Sequence, residues 1–148
     1  MAQFVVTGGA GFIGSALVRK LLEQGGSVAV IDNLLTGREE NLAEVRDRIR
    51  FHRADIRDAQ AIAPLIRGAE VLFHLAAIPS VPRSIDEPDL SHEVNIDGTF
   101  RVFRAAADGG VRRVVYAASS SAYGDSETLP KIETMLPRPK SPYAAQKL

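Results

Sequence analysis

Apolar and polar positions along the chain alternate between the two periods expected of strands and helices. Phe4, Val5 and Val6 form a short run of strand formers that stops at Thr7-Gly8-Gly9. Phe12, Ile13, Ala16, Leu17, Leu21 and Leu22 then recur at helical spacing. This reads as strand, tight turn, helix. Gly25-Gly26 marks the end of that helix, Val28 to Ile31 reads as a second strand, and Asp32-Asn33 falls where that strand should stop. The alternation continues with a weak polar helix around Asn41 to Asp47 and a strand near Arg50 to Ala54. A helix across Ala59 to Ile66 and a strand from Val71 to Leu75 follow.

Pro79, Pro82 and Pro88 predict a loop, followed by a helix over roughly Leu90 to Ala107. Gly98 inside that helix costs about 1 kcal/mol relative to alanine. Gly109-Gly110 closes it, and Arg112 to Ala118 reads as a fifth strand ending at Ser119-Ser120-Ser121. A connection carrying Pro130, Pro137 and Pro139 leads to Ser141-Pro142, a helix-start signature, with Tyr143 to Leu148 as the first turns. Strands alternating with helices imply a parallel sheet with helices on both faces, because right-handed crossovers lay each helix against the sheet. The expected fold is therefore α/β, a Rossmann-like doubly wound parallel sheet of strand order 3-2-1-4-5, with residues 1–148 as one domain.

Composition narrows the chemistry. The 148 residues are 45% hydrophobic and 24% charged, enough for a buried core. Eighteen basic residues balance eighteen acidic ones, so no global field draws the chain to nucleic acid or an anionic membrane. There is no cysteine, which removes disulfides, thiolate metal sites and a cysteine nucleophile together. His52, His74 and His92 lack metal-ligand spacing and are assigned structural roles, so no metal is expected. With no secretion signal at MAQFVVTGG and no long apolar run, the expected location is the cytoplasm.

Thr7-Gly8-Gly9-Ala10-Gly11-Phe12-Ile13-Gly14 places three glycines between the first strand and the first helix. Gly8 would allow the sharp turn, Gly11 would let a pyrophosphate approach the backbone, and Gly14 would let helix pack closely on strand. The helix start offers free amides and a partial positive charge to phosphates. Asp32, eighteen residues after Gly14, sits at the end of the second strand, where a carboxylate accepts from both ribose hydroxyls of an adenosine. A carboxylate there repels a 2′-phosphate, so NAD is expected over NADP, with Arg38 keeping the phosphorylated cofactor as a minor option. Asp55-Ile56 could frame adenine, with Asp55 accepting from the exocyclic amine; equally, Asp55 could cap the helix ahead of Ala59.

Tyr143 and Lys147 lie four positions apart at a helix start and share one face. A nearby ammonium and an oxidised nicotinamide ring both favour a phenolate, which makes Tyr143 a competent base. Lys147 can also donate to the nicotinamide ribose. Ser119, Ser120 and Ser121 follow the fifth strand, and the carboxyl ends of strands line the ligand crevice of a doubly wound sheet. A hydroxyl there can bridge the phenol and a substrate hydroxyl.

The blocks TGGAGFIG, IDNLLTGREENL, ADIRD, HLAA, NIDGT, YAASSSAYGD and SPYAAQKL resemble, in order, the extended short-chain dehydrogenase/reductase family, and within it the nucleotide-sugar 4-epimerases. The loop AAIPSVPRSIDEP with YAASSSAYGD is most similar to the bacterial enzymes acting on UDP-N-acetylglucosamine, with those acting on UDP-glucose close behind. The resemblance implies that Gly8, Gly11, Phe12, Ile13 and Gly14 hold the pyrophosphate of NAD, and that Asp32 and Asn33 hold the adenosine ribose. It implies that Asp55 and Ile56 flank adenine, that Leu75 and Ala76 lie along the cofactor, and that Asn95 sits near its bound ribose end. Tyr143 and Lys147 match the catalytic pair, and Ser119 matches the active-site hydroxyl, with Ser120 and Ser121 as neighbouring candidates. Ser80, Ser84 and Arg83 are possible substrate-loop contacts by the same likeness. Family 4,6-dehydratases carry Asp and Glu where this chain has Ser120 and Ser121, so dehydration is not expected.

The implied reaction is redox-neutral epimerisation of a UDP-sugar at carbon 4 through a 4-keto intermediate. Alternatives are a nucleotide-sugar reductase or decarboxylase on the same scaffold, or a catalytically silent dinucleotide-binding protein. Family members continue for a comparable length beyond the Tyr-Lys helix. The chain therefore reads as an amino-terminal part truncated before the substrate-binding lobe, from a parent expected to be a homodimer.

Overall fold

The computed structural model describes residues 2–148. Its centre is a five-stranded sheet in which every neighbouring pair is parallel. The strands are β1 (Phe4–Thr7), β2 (Val28–Asp32), β3 (Ile49–Arg53), β4 (Val71–His74) and β5 (Arg113–Tyr116), ordered β3-β2-β1-β4-β5. The doubly wound order read from the sequence is the order observed.

Strand alternation divides the core in two. Val5, Ala29, Ile31 and Leu72 pack with Ile62, Ile66, Val102 and Ala106, which belong to α2 (Ala59–Ile66) and α5 (Thr99–Asp108). Val6, Val28 and Val30 pack instead with Val18, Leu21 and Leu22 of α1 (Phe12–Glu23) and with Leu42 and Val45. Neighbouring strand residues such as Val5 and Val6 thus feed opposite clusters, as the pleat of a sheet covered on both faces requires.

Three segments depart from the sequence reading. Residues Glu39–Arg48, read as a weak polar helix around Asn41 to Asp47, form a longer helix of the 3-10 type in which only Leu42 and Val45 are buried, a narrow apolar stripe. The proline-punctuated loop contains a helix, α3 (Val81–Asp86), and a second, α4 (Pro88–His92), begins at Pro88. Both prolines occupy first turns, where the missing N–H costs nothing, and Ser80 caps α3 by accepting from the Arg83 N–H. Between α4 and α5 the chain makes a π turn over Glu93–Gly98. A Cβ at Gly98 would lie 2.8 Å from Ile56 Cδ1, so the glycine lets this helix close on the β3–α2 connection. The last helix, α6 (Pro142–Gln146), is capped by Ser141, whose hydroxyl accepts from the Ala144 N–H.

Candidate functional site

A groove of about 420 Å³ opens at the carboxyl ends of the central strands. The glycine turn forms one wall. Gly8 has φ +71°, and a Cβ there would lie 2.6 Å from the Ala76 nitrogen, so only glycine fits between β1 and the end of β4. A Cβ at Gly14 would lie 2.2 Å from the Gly8 carbonyl oxygen, which brings the start of α1 hard against the turn. Gly11 is the N-cap of α1 and offers no side-chain cap to the first-turn amides. Phe12 and Ile13 are exposed along the groove.

Asp32 ends β2 at the second wall and is 7% exposed. Its Oδ2 accepts from the Ala10 N–H at 2.9 Å and its Oδ1 from the Leu34 N–H at 2.8 Å. Two structural contacts occupy part of the carboxylate; each oxygen has two acceptor positions, so capacity remains toward the groove. Asn33 lines the groove as well, and its Nδ2 donates to Asp55. Leu34 takes φ 62°, a strained conformation for leucine that the Asp32 contact holds in place.

Ile56, Leu75 and Ala76 line the same groove. Asp55 does not. Its oxygens accept from the Arg57 backbone and guanidinium and from Asn33, and Arg57 reaches on to Glu93. The Arg57 hydrogen bond holds the Asp55 carboxyl down at about 2. The cap of α2 is Asp58, which accepts from the Gln60 and Ala61 N–H groups, so the helix-cap role considered for Asp55 goes to Asp58.

Tyr143 and Lys147 of the α6 segment line the far end of the groove. Lys147 is 4% exposed; its Nζ donates to the Ala117 carbonyl at 3.0 Å and stands 4.7 Å from the centre of the Tyr116 ring. Burial lowers its ammonium to about 8. Tyr143 is anchored through its backbone N–H, which donates to Ser84 Oγ, while that hydroxyl donates to the Val81 carbonyl. Ser84 is therefore a buried link between α3 and α6, not a free substrate-loop hydroxyl.

Asn95 lies 1% exposed in the π turn, away from the groove lining. Its Oδ1 accepts from the Ile78 N–H, and its Nδ2 donates to the Ile78 carbonyl, Ser91 Oγ and Gln146 Oε1. These bonds fix α6 and the segment after β4 relative to each other. Ser80 is committed to capping α3, and Arg83 pairs with Glu87. Ser119 caps the 3-10 turn Ser120–Tyr123, accepting from the Ser121 N–H and donating to Ser121 Oγ. None of the three serines after β5 lines the groove, although the preceding Ala117 and Ala118 do.

Several lining residues carry no sequence signal of their own. Ala54, Ala77 and Pro79 enter by position alone. Thr36 and Gly37 enter because the loop folds back, with the Arg38 N–H donating to the Ala10 carbonyl. Gly37 was the available clue: a Cβ there would lie 3.0 Å from Asp32 Oδ2.

Electrostatics and shape fit an adenine dinucleotide. A side-chain-free cradle with unclaimed amides lies at one point, a carboxylate at the end of β2 at another, and a phenol with an ammonium at the far end. Among the described residues no helix is long and apolar enough to cross a membrane.

The chain is similar to several known proteins. Residues 4–148 match the family model described as NAD dependent epimerase/dehydratase family. The UDP-glucose 4-epimerase of Mycolicibacterium smegmatis is 48% identical over 148 residues, covering 97% of this chain and 47% of that protein. The Thermus thermophilus UDP-glucose 4-epimerase, solved in complex with NAD, superposes with a TM-score of 0.90 at 42% identity, over 97% of this chain and 47% of that one. The dTDP-glucose 4,6-dehydratase of Streptomyces venezuelae, solved with NAD, gives a TM-score of 0.92 at 40% identity, over 97% and 48%. The chain spans about half the length of the curated relatives it matches. With the glycine cradle, the acidic strand end and the Tyr-Lys pair all on one groove, the chain belongs to the NAD-dependent epimerase/dehydratase family.

Proposed function

We propose that this chain is the dinucleotide-binding half of a UDP-sugar 4-epimerase that uses NAD. The observation that carries the reading is that Tyr143 and Lys147 face the same groove as Gly8, Gly11, Gly14 and Asp32. Bound NAD would supply a hydride acceptor that returns what it takes, so the cofactor is not consumed.

The chain's own residues have distinct tasks. The Gly8–Gly14 turn and the uncapped start of α1 hold a diphosphate through backbone N–H groups, which need no counter-ion to be paired. Asp32 accepts from ribose hydroxyls and disfavours a phosphate in their place. The apolar side chain of Ile56 packs beside the adenine. Tyr143 takes the proton from the sugar 4-hydroxyl, and the Lys147 ammonium favours the charge this leaves on the phenol oxygen. Ser119 relays or orients that hydroxyl once the Ser119–Ser121 hydrogen bond opens.

Hydroxyls at Ser120 and Ser121 favour epimerisation over water elimination, because neither is an acid at neutral pH. The test uses a polypeptide spanning the full length of the relatives, with UDP-glucose or UDP-N-acetylglucosamine and trace NAD. Interconversion of the two carbon-4 epimers without net reduced cofactor is expected, and Tyr143→Phe abolishes it. Stoichiometric cofactor turnover would identify a reductase instead.

A further inference from the structure

Lys147 rests on an aromatic ring that none of the roles above uses. Its Nζ stands 4.7 Å from the centre of the Tyr116 ring, within the range of cation–π attraction. An ammonium has three N–H donors, of which the Ala117 carbonyl takes one. Among the described residues no carboxylate pairs with it. A buried cation without a counter-ion is costly, so its immediate neighbours decide whether it stays charged.

The ring is itself held from two sides. His74 of β4 stacks on it with centroids 5.7 Å apart and planes at 22°, and Phe103 of α5 meets it edge-on at 5.6 Å. His74 is fixed in turn by hydrogen bonds to Thr7 (2.6 Å) and Thr99 (2.9 Å), one on each ring nitrogen. Burial, with a smaller contribution from Lys147, keeps this imidazole neutral, down to about 3, so it adds no positive charge near the ammonium. The titratable groups around Lys147 are thus His74 of β4, Tyr116 of β5 and Tyr143 of α6.

We propose that Tyr116 is a positioning residue for Lys147, whose ring is the floor that keeps the ammonium charged and oriented in the groove. The face of the ring matters here, and its hydroxyl does not. The inference deepens the proposed function, because Lys147 serves the dinucleotide only under that reading, but it concerns a contact within the chain itself.

The experiment follows the lysine side-chain signals of the isotopically labelled chain by NMR during a pH titration. Only Lys20, Lys131, Lys140 and Lys147 contribute. Tyr116→Phe keeps the ring, and Lys147 should titrate as in the parent. Tyr116→pentafluorophenylalanine keeps the shape but removes the negative ring face, and Lys147 should lose its proton about one pH unit lower, while Lys20, Lys131 and Lys140 do not move. Tyr116→Leu should act in the same direction. An unchanged Lys147 titration in the fluorinated variant overturns the proposal, even if Tyr116→Leu does not fold. NAD titrated into the same samples separates the two readings. A Lys147 shift in a chain that binds no NAD supports the ring's role and contradicts the proposed function. NAD binding with an unmoved Lys147 does the reverse.

Discussion

The Oδ2 atom of Asp32 accepts a hydrogen bond from the backbone N–H of Ala10 at 2.9 Å, tying the end of β2 to the glycine turn on β1. One carboxylate thereby shapes the cradle and presents charge to the groove. Asp32→Asn removes the charge and weakens the accepted bonds. NAD affinity should fall about thirtyfold, corresponding to ~2 kcal/mol for charge-assisted hydrogen bonds. Discrimination against NADP should shrink in parallel, both read by calorimetry.

Gly14 and Gly25 offer a comparison of two kinds of glycine. A Cβ at Gly14 meets the Gly8 carbonyl at 2.2 Å, so Gly14→Ala must push α1 off the sheet and should cost about 3 kcal/mol. Gly25 has φ +80° with nothing within 4 Å of an added Cβ, so Gly25→Ala carries only the backbone penalty of about 1 kcal/mol. Urea midpoints of the two variants check the ranking.

His74 predicts an acid-side loss of stability. Its folded value, about 3, lies below the ordinary 6.5, with burial as the main cause and Lys147 as the second. Above 6.5 both states are neutral and the group contributes nothing. Between 6.5 and about 3 only the unfolded chain binds the proton, so stability falls with decreasing pH by up to about 1.4 kcal/mol per unit. Urea unfolding at pH 6 and pH 5 should show this slope, and His74→Gln should flatten it.

Gly98 and Ile56 should behave as a coupled pair. A Cβ at Gly98 lies 2.8 Å from Ile56 Cδ1, so Gly98→Ala alone should cost about 1–2 kcal/mol despite alanine's better helix propensity. Truncating the opposing side chain in Ile56→Ala makes room. A double-mutant cycle should show a favourable coupling of about 1 kcal/mol, and additivity would contradict the packing account.

Much of the groove was legible because its signals are local. Gly8, Gly11 and Gly14 need their spacing for steric reasons, and Asp32 ends a run of buried apolar residues. What was not legible depends on contacts distant in sequence. Asn95 reads as a polar residue near a ligand, but its partners, Ile78 and Gln146, lie seventeen and fifty-one positions away. Asp55 reads as an adenine contact or a helix cap, and only the folded chain shows Arg57 closing over it. The prolines at 82 and 88 suggest a loop because proline breaks helix interiors; their place in first turns becomes evident only once Ser80 is seen to cap α3. The contacts of Tyr116 with His74 and Lys147 exist only once β4, β5 and the end of α6 are brought together.

One dinucleotide is expected to lie along the groove from Asp32 past the glycine turn to Lys147. Backbone amide NMR spectra of the labelled chain, recorded as NAD is added, test it most directly. Saturable shifts are expected at three separated places: the Gly8–Gly14 turn, the Asp32–Gly37 segment, and Tyr143 with Lys147. Spectra unmoved by NAD, or shifts confined to residues outside the groove, would contradict it.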